Sequence, residues 1–380
     1  MIRTWVRNRL LLVVASCVAV ACAPASPLPQ TTPSGVGPRR VILIIADGAG
    51  SSYWSVLGMV GGSRTLEAFP VTGMVQPRGT SPRVIDSAAS ATAYAIGIAT
   101  FNGAIGVGPD SAAHETVLEA AEKSGLATGL VTTTSITDAT PAAFAAHVPS
   151  RERHADIASQ LAISGVDVLM GDGLGYFDGT LRPDSQNLLL ELESRYAIVR
   201  SPAELARLAA EAPPALLALF GRSNSPALDP SKPHLAEMAR AALDVLSRDR
   251  DGFFLLLETE GSDEAAHANA PIEDVLAIMT DLDAAISVAL NYQKLHPRTL
   301  LVVTSDHETG GAALHTGRGN VHTLRYTTTG HTASMVPLFA SGPGAEAFAG
   351  VHQSDAVGRL LRAAVLGVAA PAAESARVGK

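Results

Sequence analysis

The sequence predicts an α/β fold, with a mostly parallel central sheet and helices on both of its faces. Three observations predict it. Short, wholly apolar runs recur along the chain, each closed by a turn and followed by a helical stretch. Strands that are apolar on both faces belong to parallel sheets covered on both sides. Apolar residues make up 47% of the 380 residues, and Ala and Gly are abundant, which provides a large core and lets helices pack close to a sheet. Polar residues cluster just past several of the apolar runs, and open parallel sheets bind ligands at that rim.

The strands read as VILIIA (41–46), LATGLVTT (126–133), VDVLM (166–170), FFLLLE (253–258), LLVVTS (300–305) and VPLFAS (336–341). Helices are expected over 87–98, 115–124, 151–163, 233–248, 271–291 and 354–365. The stretch from Tyr176 to Asp251 carries few chemically useful side chains and reads as helical packing or peripheral structure. No repeat of solenoid length appears, so one α/β domain over 39–370 is expected.

Arg3, Arg7 and Arg9 precede an apolar run, Leu10 to Ala21, that is too short to span a bilayer comfortably. This is the pattern of an export signal over 1–23. Two processing readings stand: lipidation at Cys22 or Cys17, each behind small residues, or ordinary cleavage around Ala21-Cys22-Ala23. The expected location is outside the cytoplasm: periplasmic, lipid-anchored at the cell envelope, or extracellular. Residues 24–38 are rich in Pro, Ser and Thr and read as a flexible tether. The only two cysteines fall before this tether, so the folded domain carries no disulfide. The formal charge of −8 excludes a dedicated nucleic-acid partner, which would bring a basic stripe. It does not exclude a phosphate substrate, because a metal site supplies its own positive charge.

Three strand ends deliver acids and an imidazole to one rim: Asp47 after VILIIA, Glu258 closing FFLLLE, and Asp306 with His307 after LLVVTS. A lone Asp in such a place is usually a turn former or a helix cap. Three acidic strand ends with a His beside them are harder to dismiss. In EGSDEAAHAN, Asp263 and His267 share one face if a helix begins there; the plainer reading is a surface ion pair. Asp306 and His307 are adjacent and can face one ion only at a strand-to-loop turn, which Gly310 and Gly311 permit. His331, in TTTGHTA, lies on an expected loop.

These residues form two plausible zinc sets, Asp263 with His267 and His331, and Asp47 with Asp306 and His307. Three protein ligands and one open position is the catalytic zinc pattern. Asp47, Thr140 and Glu258 make an oxygen-only set for a harder ion, completed by water.

Ser87 lies between Asp86 and the small-residue segment AASATAYAIG. At a helix N-terminus a serine meets free N–H groups and the positive dipole end, which favour an alkoxide and a bound phosphate. Metal coordination lowers its pKa further, so no histidine base is required. Read locally, a helix N-cap is the simpler account of Ser87. No GxSxG elbow appears, which sets aside a conventional serine hydrolase. Arg151 can clamp phosphate oxygens in bidentate fashion, with Asp86 or Asp138 to orient it, though a lone arginine at a helix start is usually solvated. The GDGLG segment (171–175) lacks the full GxGxxG form of a dinucleotide loop.

Taken together, VILIIADGAG, VIDSAASATAYAIG, TDATPAAFAAHVPSR, FFLLLETEGSDEAAHAN, VVTSDHETGG and TTTGHTASMVPLFASGPGAE resemble the alkaline phosphatase family. They run in the family's order from residue 41 to about 346. The resemblance implies a three-layer α/β/α enzyme that hydrolyses small phosphate monoesters through a phosphoserine on Ser87. It implies two zinc ions and one magnesium, with cobalt or another divalent ion as the alternative. Asp263, His267 and His331 would hold the first zinc. Asp47, Asp306 and His307 would hold the second, close to Ser87. Asp47, Thr140 and Glu258 would hold magnesium, and Arg151 the phosphate. The first zinc would stabilise the leaving alkoxide and then activate the hydrolytic water. Two-metal sites of this kind place their ions ~4 Å apart.

Three features depart from the family pattern. The ETEG segment offers two glutamates. Counting back from Asp263, or forward along the strand, selects Glu258, whereas Glu260 precedes Gly261-Ser262 in a Glu-Gly-Ser step; Glu258 is the preferred magnesium ligand. Glu264 follows Asp263 where some members carry Lys or His. With Asp138 it makes the site more acidic, so weaker phosphate retention is expected. The chain is also short for the family, which leaves both a monomer and a homodimer open.

Two other readings compete. A phosphodiesterase of the same superfamily often uses Thr as nucleophile and lacks the arginine clamp, so Ser87 with Arg151 favours monoesters. A sulfatase needs a C/S-x-P-x-R context, and Ser87 is followed by Ala88-Ala89. An exported phosphate- or metal-binding lipoprotein without turnover is the non-enzymatic alternative; no residue of the constellation is missing to favour it.

Overall fold

VILIIA has no polar residue to turn toward water, so it must lie inside a sheet with both faces covered. In the computed structural model, which describes residues 39–211, 213–223 and 228–371, this run is the centre of a ten-stranded sheet. The expected signal (1–23) and tether (24–38) lie outside the described residues.

The first half of the chain forms β1 (Arg40–Ala46), α1 (Ser51–Met59), β2 (Val71–Gln76), α2 (Ser87–Ile96), α3 (Val117–Lys123), β3 (Ala127–Ser135), α4 (Ala139–Ala145), α5 (His154–Ile163) and β4 (Val168–Asp172). It is followed by α6 (Leu188–Leu192), β5 (Ala197–Val199), α7 (Pro202–Glu211), β6 (Leu216–Leu219), α8 (Leu235–Leu246), β7 (Phe253–Thr259), α9 (Gly261–His267) and α10 (Ile272–Leu295). The last part holds β8 (Thr299–Thr304), β9 (Glu308–Thr309), β10 (Ala313–Thr316), β11 (His322–Arg325), β12 (His331–Thr332), β13 (Val336–Ser341), β14 (Gly350–Gln353) and α11 (Ser354–Leu366).

The sheet order is β14-β2-β13-β8-β1-β7-β3-β4-β6-β5. β13 alone runs against its neighbours; every other pairing within this sheet is parallel. Alternation along β1 feeds two cores: Val41, Leu43 and Ile45 face one, and Ile42, Ile44 and Ala46 face the other. The first core packs under α2, α3, α4, α5 and α11, the second under α1, α8 and α10. The buried stripe of α10, Val275, Met279, Leu282, Ile286 and Ala289, has helical spacing and seals the second core.

All six expected helices form, with their ends moved by a few residues. Two differences bear on function. The expected helix from residue 151 begins instead at His154, leaving Arg151 in the turn before α5. The stretch from Tyr176 to Asp251 is more than helical packing, because β5 and β6 extend the sheet to its edge. Both are very short strands, LLAL and AIV, which a periodicity argument does not separate from helix.

Register decides what meets at the rim. Ile45 pairs with Glu258 and with Thr304, and Glu258 pairs with Thr132 on its other side. The carboxyl ends of β8, β1, β7 and β3 therefore stand in a row.

Candidate metal-binding active site

Three loops leave that row. Asp47 follows β1, Glu258 lies near the end of β7, and Asp306 and His307 follow β8. The turn after β1 needs glycine at Gly48, which has φ +66° and lies so close to α9 that a Cβ would stand 2.5 Å from Asp263 Oδ1. Gly48 N–H and His307 N–H both donate to Asp306 Oδ1, at 3.1 and 2.8 Å. That leaves Asp306 Oδ2 aimed at His307 Nε2, 3.2 Å away. Asp47 Oδ1 lies 3.4 Å from the same nitrogen, and Ser87 Oγ 3.1 Å from it.

Helix α2 delivers Ser87. Its cap is Asp86, whose Oδ1 accepts from Ala89 N–H at 2.9 Å, so the serine hydroxyl is not spent on capping. Ser90 and Tyr94, on the same helical face, donate to the carbonyls of Asp306 and Ser305 at 2.7 and 2.8 Å and dock the helix on the end of β8.

The second imidazole group lies beside the first. Asp263 and His267 fall on one face of α9, with Asp263 Oδ2 3.2 Å from His267 Nε2. His331 is not on a loop, as expected, but in the two-residue strand β12. Pairing with β9 sets it opposite Thr309 and puts its ring 3.7 Å from that of His307, centroid to centroid. The Nε2 atoms of His267 and His331 face each other at 3.2 Å.

The tautomers follow from the other nitrogens. His267 Nδ1 donates to the Thr329 carbonyl at 2.5 Å and His331 Nδ1 to the Ile85 carbonyl at 3.0 Å. Carbonyls only accept, so Nδ1 carries a proton in both rings, and in the neutral form of each the lone pair lies at Nε2. Thr309 Oγ1 donates to Asp263 Oδ1 at 2.5 Å and accepts from His307 Nδ1 at 3.2 Å, which leaves His307 Nε2 bare as well. Holding Nδ1 in this way is how proteins present imidazole to a metal.

The oxygen-only group lies on the far side of Asp47. Thr132 Oγ1 donates to Glu258 Oε2 at 2.6 Å, and Thr140, near the start of α4, sits beside Glu258. Glu258 and Glu260 each place a carboxylate oxygen within 4.8 Å of one on Asp47. Asp47 Oδ1, Asp306 Oδ2, Glu258 Oε1 and Thr140 Oγ1 are all buried without a hydrogen-bond partner. Folded proteins rarely leave buried polar atoms unsatisfied, because each costs about 1–3 kcal/mol. Cations answer that deficit, and the donors suit them: mixed nitrogen and oxygen for zinc in two groups, oxygen alone in the third.

The titration behaviour has the same cause. Burial, then the charge of Asp306, pushes the Asp47 carboxyl well above its ordinary range. Burial pushes Glu258 up to about 8 and Asp306 up to about 7, and holds the His307 imidazole down to about 4. Burial also acts to raise Asp263, but the hydrogen bond from His267 in its protonated form and the Thr309 hydroxyl outweigh it and bring Asp263 to about 2.

Arg151 faces the same space. Its Nη2 donates to Asp138 Oδ1 at 2.8 Å, and Nη1 lies 4.0 Å from Asp86 Oδ2. Both aspartates therefore flank it, where the sequence offered them as alternatives. Residue patterning overlooked Thr309 and Glu308. Glu308 is buried, accepts from Thr332 Oγ1, and so pins the strand that carries His331. The missed signal was period-two spacing: Thr309 stands two residues after His307, on the same side of an extended segment.

Residues 38–325 match the alkaline phosphatase family. The chain belongs to that family. It is 36% identical to alkaline phosphatase 3 of Bacillus subtilis over 295 residues, covering 73% of this chain and 62% of that protein. It is 31% identical to the alkaline phosphatase of Escherichia coli over 410 residues, covering 86% of each. The alkaline phosphatase of the Antarctic bacterium TAB5 superposes with a TM-score of 0.79 at 32% identity, covering 87% of this chain and 98% of that one. A variant of the TAB5 enzyme has been solved with Mg in its M3 site. Family membership accounts for the fold, and the metal dependence of the family agrees with the three donor groups.

Proposed function

We propose that the chain hydrolyses small phosphate monoesters through a phosphoserine on Ser87. The observation that carries this reading is the convergence on His307 Nε2 of Ser87 Oγ and the unpartnered oxygens of Asp47 and Asp306, beside an arginine held by two aspartates. Asp263, His267 and His331 would hold one zinc, Asp47, Asp306 and His307 a second, and Asp47, Thr140 and Glu258 a magnesium. When bound, such ions supply positive charge to attacking and leaving oxygens and lower the pKa of the groups they touch.

The chain's own groups do the rest. Ser87 Oγ attacks phosphorus and the ester oxygen departs on the opposite side with its alcohol. Arg151 holds non-bridging oxygens, and Asp138 and Asp86 fix its guanidinium so that little entropy is lost on binding. The free N–H groups at the start of α2 face the same charge. Water then attacks the phosphoserine, releasing inorganic phosphate and restoring the Ser87 hydroxyl. The N-terminal pattern supports export, with or without a lipid at Cys22 or Cys17.

Ser87→Ala tests the assignment. Turnover of p-nitrophenyl phosphate should fall about 10⁴-fold or more, since the nucleophile acts as a unit with its site. The metal content should stay unchanged. A wild-type protein that is inactive with both metals would favour the binding lipoprotein, and faster cleavage of the bis-ester would favour the phosphodiesterase.

A further inference from the structure

Glu260 has no part in the proposed reaction, yet its position is specific. It follows β7 directly and occupies the N-cap position of α9, where Ser, Thr, Asp or Asn is normally found. Its side chain makes no capping hydrogen bond. Its backbone N–H is instead tied to Thr133 Oγ1 at 3.0 Å, which anchors the turn on β3. The carboxylate reaches into the oxygen-only group, with an oxygen within 4.8 Å of those on Asp47 and Glu258. That group already contains buried oxygens with no partner, on Asp47, Glu258 and Thr140. The ion pairs of Arg151 are with Asp138 and Asp86, and its charge acts on Glu260 only from beyond ion-pair distance.

We propose that Glu260 is a third carboxylate donor at the Asp47–Glu258 centre and that it turns this centre's preference from magnesium toward calcium. The inference rests on the reading of that centre as a metal site. Its reason is coordination chemistry. Magnesium demands a small, regular octahedron, keeps several waters, and is usually held by one or two carboxylates. Calcium accepts six to eight oxygens at longer distances, with carboxylates in one- or two-oxygen modes. Three carboxylates and a threonine hydroxyl, converging from three different elements, crowd waters out of a magnesium shell and suit the larger ion. Asp47 comes from the turn after β1, Glu258 and Glu260 from β7 and its exit, and Thr140 from α4. Glu260 is the donor nearest the open side of the site, being partly exposed where Asp47, Glu258 and Thr140 are buried. It is therefore the donor that water or magnesium hydration would replace if it were removed.

The test uses the full chain, stripped of metal, reloaded with zinc, and equilibrated with equal concentrations of calcium and magnesium. Bound ions are counted by elemental mass spectrometry after desalting. The wild type should retain calcium over magnesium. Glu260→Gln, which keeps the size of the side chain, should shift the retained ratio toward magnesium by roughly tenfold or more. Glu258→Gln should lose the ion altogether. Equal calcium-to-magnesium ratios in the wild type and Glu260→Gln overturn the proposal. So does a Glu260→Gln variant whose only change is in phosphate affinity, which would make the residue a neighbour of Arg151 instead. If Glu258→Gln keeps its full complement of ions, the centre itself is misassigned, an outcome distinct from failure of Glu260 alone.

Discussion

Two neighbouring strand ends on the same rim solve one problem in opposite ways. At the end of β4, Asp172 is only 2% exposed, and Lys232 closes on it as an ion pair. At the ends of β1, β7 and β8, Asp47, Glu258 and Asp306 are as deeply buried. Among the described residues, they accept from the backbone N–H groups of Gly48 and His307 and from the Thr132 hydroxyl and face the His307 imidazole, with no lysine or arginine paired to them. A buried carboxylate must be neutralised or paired. The β4 end carries its own cation and is structural. The β1–β7–β8 end leaves its acids for cations that arrive from outside, and that is the end with the nucleophile.

Removing the cation from each end is the most forceful test of this contrast. Chelation should lower the melting temperature, at about 4 kcal/mol for each ion held at a thousandfold its Kd. Lys232→Met should cost about 3–5 kcal/mol whether or not metal is present, because it strands the Asp172 charge. Adding Asp172→Asn to it should recover most of that loss, since removing both members of a buried pair is nearly neutral. A chelator without effect on the melting curve would break the contrast.

This contrast also explains what the sequence showed and what it hid. Asp47, Glu258 and Asp306 were legible because each ends an apolar run, and strand direction alone carries them to one rim. His331 was legible by motif, but its placement was not. It depends on a two-residue pairing, β12 on β9, too short to have a periodicity. Arg151 was expected as the first residue of a helix and lies before it, where its N–H donates to the Gly103 carbonyl at 2.8 Å. Asp172 and Lys232 are 60 residues apart, and nothing local in GDGLG announces a distant lysine. Ser87 looked like a cap until the structure gave that role to Asp86. Thr309 stayed hidden because its importance lies in a hydroxyl shared between two other residues.

Thr309 gives the next sharper test. Its hydroxyl donates to Asp263 and accepts from His307, so it joins the two histidine-containing groups. Thr309→Val keeps the shape and removes the hydroxyl. Zinc affinity should fall about 10–100-fold in both groups, as for other residues that orient metal ligands. Thr309→Ser should restore it. Zinc titration with a competing chelator reads both sites. Loss confined to one group would show that the hydroxyl supports a single ligand and does not couple the pair.

The smallest expected effect concerns a third way to satisfy a buried acid. At the opposite end of the sheet, Glu122 accepts from Thr128 Oγ1 at 3.0 Å, and Asp167 accepts from Thr128 N–H at 2.8 Å. Among the described residues neither a paired lysine nor a metal-ligand set stands there, and burial pushes Glu122 up to about 7. In the fold it therefore keeps a proton between its ordinary value of 4.5 and about 7, a range in which the unfolded chain has lost it. The native state binds more protons in that window, so its stability falls as pH rises through it and stays lower above. Glu122 is incompletely buried, and after allowance for solvent screening the loss is about 1 kcal/mol. Glu122→Gln should be indistinguishable from wild type at pH 4 and more stable by about that amount at pH 9. Denaturant curves at the two pH values measure the difference. Wild-type and variant curves that coincide at both would mean that Glu122 ionises in the fold as it does in the unfolded chain.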